Sequence, residues 1–230
     1  MTARRRRIRW PAVALITGAA LAGGGAAGYA LTRPPGHDYG TVPAAGASYA
    51  AAPAHPGRGG GPGSGDTATE RRSPAPDVAA VHVPVRLRIP AIGVDAPVQP
   101  TGVQSGGALA IPPDPSDIGW WAGGGFPGDV SGAVILVGHI DSAASGPGAL
   151  YRLQDVRPGQ QITVLAAGRT YRYRVVALHA YAKASLPIAA VFGQRVTARL
   201  VIVSCGGPFD AATGHYLDNL VAYAMPVGAE

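Results

Sequence analysis

Two uninterrupted apolar runs stand out in the C-terminal two thirds of the chain, Ala133-Val-Ile-Leu-Val137 and Leu200-Val-Ile-Val203. Both are short, β-branched and bounded by turn residues, which reads as buried strand rather than helix. The segments around them alternate instead. Val85-Arg-Leu-Arg-Ile89 alternates until Pro90 breaks it, and Val94 to Val98 and Ala108 to Ile111 predict the next two strands. Gln161 to Leu165 is a further strand. Arg169 to Ala180 is a long alternating one with Arg172 and Arg174 outward, and 220–224 is the last. Between them, Pro112, Pro113 and Pro115 predict a rigid connection to Ile118-Gly-Trp120-Trp121, whose tryptophans read as core or wall. Leu150 to Leu153 predicts a short helical turn, Arg157-Pro-Gly159 a turn, and 181–194 a loop with one helical turn. About eight strands with little helix predict an all-β closed barrel or sandwich.

The first third of the chain has no such pattern. Residues 1–9 carry five arginines, Arg4 to Arg7 and Arg9, and are followed by an uncharged run from Trp10 to Leu31. Its roughly 22 residues span about 33 Å as a helix, enough for a bilayer core. The basic cluster predicts a cytoplasmic N-terminus with the remainder outside. A cleaved signal peptide is the competing reading, since small residues end the run at Ala26-Ala-Gly-Tyr-Ala30. The length favours an uncleaved transmembrane anchor, and both readings put the strand-rich part outside the cytoplasm. Residues 32–80, rich in Pro, Gly, Ala and Ser, predict a disordered tether, leaving 81–230 as the folded domain.

Charge and cysteine usage narrow the classes further. The net charge of +6 is largely the N-terminal arginine cluster, and no aromatic–basic interleaving accompanies it elsewhere, so nucleic-acid binding is not predicted. A single cysteine excludes disulfides within one copy of the chain, and a monomer is expected. One Cys and scattered histidines do not make a zinc ligand set. The segment Tyr181 to Gln194 has no Asp or Glu to hold a hard cation. No metal and no cofactor is expected.

The chemistry of interest lies where the two apolar runs end. One ends in Ser204-Cys205-Gly-Gly207, the other in Gly138-His139-Ile-Asp141. A lone cysteine is often a small buried hydrophobe. A cysteine at a strand lip with a histidine delivered by another strand is instead the general arrangement of a thiol acyl-transfer enzyme. His179, within a long strand, and His215, in a loop, are the rival bases. Asp141 is read either as the group that orients His139 or as a loop-capping aspartate.

These blocks resemble the sortases. The matching segments are Val137-Gly-His139-Ile-Asp141, Leu200-Val-Ile-Val-Ser-Cys205-Gly-Gly207, and Thr213-Gly-His-Tyr216 followed by Asn219-Leu-Val-Ala-Tyr-Ala224. Upstream, Leu87-Arg-Ile-Pro-Ala-Ile-Gly-Val94 and Ile118-Gly-Trp-Trp121 also match, so the resemblance covers about Val83 to Val227. Cys205-Gly-Gly-Pro-Phe-Asp210 is most like the actinobacterial class F or class E branch. The resemblance implies an eight-stranded sortase β-barrel and a cysteine transpeptidase with Cys205 as nucleophile and His139 as acid and base. It implies two substrates, an exported protein with a C-terminal LPxTG-like sorting signal and an amine of a peptidoglycan precursor in a Gram-positive cell wall. It also implies a substrate-groove wall around Leu186, Pro187, Val191 and Phe192, a segment that reads equally as a covering loop for the barrel core. One departure is evident. The arginine that sortases carry after the cysteine is expected at the position of Leu217, and no arginine follows Arg199. Arg152 and Asn219 are the candidate surrogates. A domain that binds sorting signals or cell-wall components with little catalysis is the alternative.

Overall fold

The computed structural model describes residues 38–42, 82–105 and 107–228. The basic residues 1–9, the predicted span 10–31 and nearly all of the predicted tether lie outside the described residues.

The alternating segments form strands because one face of each has somewhere to go. In β2 (Pro84–Ile89) Leu87 and Ile89 point inward while Arg86 and Arg88 stay in solvent. In β3 (Val94–Thr101) Val94, Ala96 and Val98 alternate with outward Asp95 and Gln99. β4 (Ile118–Trp121) and β5 (Ala133–Gly138) follow, then a short hairpin of β6 (Asp141–Ser142) and β7 (Gly146–Pro147). The chain continues through β8 (Gln161–Ala166), β9 (Arg169–Ala182), the helix α1 (Ile188–Phe192), β10 (Arg199–Asp210) and β11 (His215–Pro226). The strand order β9-β11-β10-β5-β4-β3-β2-β8, with β8 pairing back onto β9, closes an eight-stranded barrel. Closure removes the sheet edges that would otherwise invite association.

β5 and β10 read as continuous apolar runs because they are buried on both faces. Val134, Leu136, Leu200 and Ile202 fill the barrel interior with Leu87, Ile89 and Ile118. Ile135, Val137, Val201 and Val203 face outward into a second apolar layer, covered by Val191 of α1 and by Leu109 and Ile111 of the β3–β4 loop. That second layer gives the site its wall.

Three predicted elements differ from those observed. Ala108 to Ile111 is not a strand; it contributes only an isolated bridge, Val103 to Leu109, because its apolar residues cap the outer layer instead of joining the barrel. Ile118–Trp121 takes its place as β4, parallel to β3 and antiparallel to β5. The helical turn predicted at Leu150 falls three residues later, as a 3-10 turn at Leu153–Asp155. The predicted tether also contains structure, since β1 (Tyr39–Gly40) pairs antiparallel with Leu178 and Ala177 of β9.

Candidate active site

β5 and β10 are neighbouring parallel strands in register, Val137 beside Val203 and Gly138 beside Ser204. His139 and Cys205 are each one residue further on. Side chains alternate along a strand, so Cys205 leaves on the same outer face as Val203, and adjacent strands lie about 4.8 Å apart. Both residues are half-buried. The sequence folds this way because each apolar run fixes its strand in two layers of core, and the polar residues at the run ends are carried to one rim together.

The His139 ring is held from outside the barrel. Its Nε2 lies 2.8 Å from the carbonyl oxygen of Pro112. A carbonyl only accepts, so Nε2 donates and carries the proton, leaving Nδ1 as the basic nitrogen. The predicted rigidity of the proline segment therefore has a use. It presents a fixed carbonyl, next to Ile111 of the outer layer, that sets the histidine tautomer. The 139 backbone is tied as well, since Leu150 N donates to His139 O at 3.0 Å.

Cys205 opens into an apolar cavity of about 250 Å³ walled by Leu109, Ile111, Val137, Leu186, Ile188 and Phe192. Asn219, the cross-strand partner of Cys205 on β11, lines the same cavity. Of the four groove-wall residues expected from the sequence, Leu186 and Phe192 line it, Val191 is buried beneath, and Pro187 is not part of the lining. A larger cavity of about 370 Å³ lies toward the other end of the strands, beside Val134, Tyr173 and Arg199, and has no thiol or imidazole in its lining.

The two glycines after Cys205 have a structural reason. Gly207 has φ +73°, and a Cβ there would sit 2.3 Å from the Asp218 carboxylate. The pairing of β10 with β11 shifts between Gly206 and Phe209 at this point. The glycines permit a bulge that re-aims the strand beyond the cysteine, rather than simply giving access to the sulfur.

The remaining candidates are distributed as follows. His215 is exposed at the start of β11, opposite Asp210. His179 lies in β9 with Nδ1 3.5 Å from Asp38. Asp141 does not orient His139; its Oδ2 accepts a hydrogen bond from the Tyr216 hydroxyl. That bond, with burial second, pushes the Tyr216 phenol up to about 12. Arg199, at the distal end of β10 and 3% exposed, donates from Nη2 to Ala190 O at 2.5 Å and lies 5.7 Å from the Tyr223 ring. Burial lowers its pKa and Tyr223 opposes the change. Arg199 pins α1 onto the barrel. Arg152 is also turned elsewhere: its Nε pairs with Asp155 at 3.0 Å, and it lines a groove with Gly93, Val94 and Asp95. Leu217, where the resemblance leads an arginine to be expected, lies two residues from Asn219 along β11.

Sequence reasoning missed Pro112 as a hydrogen-bond partner, Ser204 as a clamp whose hydroxyl donates to Gly138 O, and Tyr216 as the partner of Asp141. Ser204 was findable, since it precedes Cys205 and the alternation turns it inward. A backbone carbonyl 27 residues from His139 leaves no signal in sequence.

A sortase-domain family profile matches residues 87–227, more than half of the chain. No curated protein matches. Among solved structures the chain is similar to a lid mutant of sortase A from Corynebacterium diphtheriae, at 18% identity and TM-score 0.50, covering 63% of this chain and 70% of that one. It is also similar to sortase C1 from Streptococcus agalactiae, at 21% identity and TM-score 0.49, covering 68% and 72%. Sortase E1 from Streptomyces coelicolor, solved with a tripeptide in its active site, aligns at 18% identity and TM-score 0.47, covering 62% and 86%. The likeness to the first of these is one of fold.

Proposed function

The chain belongs to the sortase family of transpeptidases, and we propose that it is a membrane-anchored cysteine transpeptidase in which Cys205 is the nucleophile and His139 the proton carrier. The observation that carries this is the register of β5 and β10, which ends in His139 on one strand and Cys205 on its parallel neighbour. The apolar cavity beside the sulfur supports it.

In this reading His139 takes the thiol proton through Nδ1, and the thiolate attacks the carbonyl carbon at the scissile bond of a C-terminal LPxTG-like sorting signal. As the C–N bond breaks, the imidazolium returns the proton to the departing amine and a Cys205 thioester remains. An amine of a peptidoglycan precursor then attacks the thioester carbon and gives up a proton to His139. The new amide forms as the C–S bond breaks and the thiolate is released. The aliphatic wall of Leu109, Ile111, Leu186 and Ile188 suits the apolar residues of such a signal. The uncharged run at 10–31 and the arginines before it support a single-pass protein with a cytoplasmic N-terminus and an extracellular domain.

One observation favours the weaker reading, a domain that binds the signal with little turnover. Among the described residues no arginine lines the Cys205 cavity. Incubating the full chain in detergent with an LPxTG-like peptide and an amine, read by mass spectrometry, separates the two. A covalent adduct on Cys205 that resolves to the amide is the expected result. Cys205→Ala is expected to give neither adduct nor product, and His139→Ala to lose product. Turnover by Cys205→Ala, or peptide binding with no adduct in the parent, overturns the catalytic reading.

A further inference from the structure

Beyond His139 and Cys205 the chain after β5 and the remainder of β10 lead into a second groove. The hairpin of β6 and β7 forms one wall, with Asp141 two residues past His139. Phe209, four residues past Cys205, and Tyr216, its cross-strand partner, form the other, and Tyr151 closes it. The groove has a volume of about 360 Å³ and shares no lining residue with the apolar cavity. Two partners can therefore occupy the two spaces together.

The chemistry of the two spaces differs. The apolar cavity has no charged residue in its lining, whereas this groove has one carboxylate, three aromatic rings and no Lys or Arg. Tyr151 and Phe209 are 49% and 57% exposed. Large exposed aromatic side chains rimming a concave surface mark a contact site rather than core. The Phe209 and Tyr216 rings meet nearly edge-on at 5.2 Å, so each holds the other in place beside the groove. The Tyr216 hydroxyl occupies one site of Asp141 Oδ2. A carboxylate has about four acceptor sites, so Asp141 is oriented and not saturated. A positioned carboxylate among aromatic rings is the combination that takes an organic ammonium, by a charge-assisted hydrogen bond and by cation–π contact.

We propose that the groove formed by Asp141, Tyr151, Phe209 and Tyr216 is the subsite for the primary ammonium group of the acceptor, with Asp141 as its counter-ion until one proton passes to solvent and the free amine attacks the thioester, giving its second proton to His139. This rests on the transpeptidase reading above. It gives the two substrates separate entrances, the acyl donor through the apolar cavity and the acceptor through the aromatic groove, converging on the thioester. It also accounts for Asp141 being bound to Tyr216 rather than to His139.

The test is how the acyl-enzyme partitions between water and amine, since that ratio is set after acylation and does not depend on how fast the thioester forms. The full chain and Asp141→Asn, which keeps the acceptor for Tyr216, are given the same sorting peptide. The nucleophile is either triglycine amide, which is cationic at neutral pH, or hydroxylamine, which is not. For Asp141→Asn the amide-to-acid ratio with triglycine amide is expected to fall about tenfold, the size of losing one charge-assisted contact. The ratio with hydroxylamine is expected to fall much less. Phe209→Leu is expected to lower the triglycine amide ratio about threefold through loss of the ring face. An unchanged ratio in Asp141→Asn, or an equal fall for both nucleophiles, overturns the subsite while leaving the transpeptidase intact. A parent that forms no acyl-enzyme overturns the reading beneath it, and the subsite with it.

Discussion

The Ser204 hydroxyl donates a hydrogen bond to the Gly138 carbonyl oxygen at 3.0 Å, across the last registered pair of β5 and β10. The bond lies one residue below Cys205 and His139 and is inside the barrel, with Ser204 2% exposed. Gly138 is fixed from the other side, because a Cβ there would sit 2.7 Å from Ile118 and 3.0 Å from Leu150. Thiol and imidazole are thus mounted on two strands locked together immediately beneath them.

Ser204→Ala removes that lock with little change in volume. Losing one buried hydrogen bond costs about 1 kcal/mol, so a fall in Tm of roughly 2–4 °C is expected for a domain of this size. Acylation is expected to drop further than stability explains, by about tenfold, because small misplacements of reacting groups are costly. Calorimetry and single-turnover acylation check this together. A lowered Tm with unchanged acylation assigns Ser204 a purely structural role.

Leu217 is the place to restore a missing cation. Asn219 faces Cys205 across β10 and β11, and position 217 shares its side of the strand. An oxyanion donor is worth on the order of a hundredfold in rate. Leu217→Arg is therefore expected to accelerate acyl-enzyme formation, by about tenfold where the new guanidinium is imperfectly held. Arg152→Ala is expected to leave it unchanged, since Arg152 is 57% exposed and paired with Asp155. A rapid parent enzyme with no response to Leu217→Arg identifies backbone amides as the donors.

The alkaline limb of stability has a specific contributor. The folded-state pKa of Tyr216 is raised to about 12, first by its bond to Asp141 and then by burial. A raised phenol pKa means the folded state favours the protonated form. The contribution is complete below the ordinary tyrosine value of about 10 and is lost as pH rises through the folded value. Tyr216→Phe is expected to lower Tm at neutral pH, with the gap to the parent closing between pH of about 10 and 12. Tyr173 and Tyr223, raised chiefly by burial, are common to both proteins and cancel in the comparison. A gap that stays constant across that window shows that the Tyr216 bond does not contribute.

The barrel was legible because it is written in local pattern. The runs at 133–137 and 200–203 announced buried strands, and His139 and Cys205, two residues past each run, come to one rim because the strands are parallel neighbours in register. What stayed hidden depends on which surfaces meet. Ala108 to Ile111 has the composition of a strand, but its Leu109 and Ile111 cover the outer layer, a choice made by tertiary packing. Asp141 was set between orienting His139 and capping a loop, and its partner proved to be Tyr216, 75 residues away. The Pro112 carbonyl holds the histidine through backbone alone. No side-chain pattern encodes it.

The segment Asp38–Val42 was read as tether, and it is where the expected domain boundary at residue 81 is most exposed to test. Asp38 Oδ1 accepts from Ala180 N at 2.9 Å, beside His179. Tyr39 pairs with Leu178, and the Arg157 guanidinium lies 4.3 Å from its ring centroid. Val42 packs on the outer apolar layer beneath the site. Gly40 is held at φ +73°, where a Cβ would come 1.9 Å from the Val176 carbonyl oxygen. No other residue type fits there without displacing the strand. A protein beginning at residue 81 lacks all of this, although the eight barrel strands remain. It is expected to fold as a monomer but to melt several degrees below one beginning at residue 36, since each kcal/mol lost shifts Tm by about 2–4 °C. Gly40→Ala in the longer protein is expected to reproduce most of the loss, because it expels β1 without removing sequence. Calorimetry of the three proteins decides the matter. Equal melting temperatures for the two lengths return the segment to the tether and restore the boundary at residue 81.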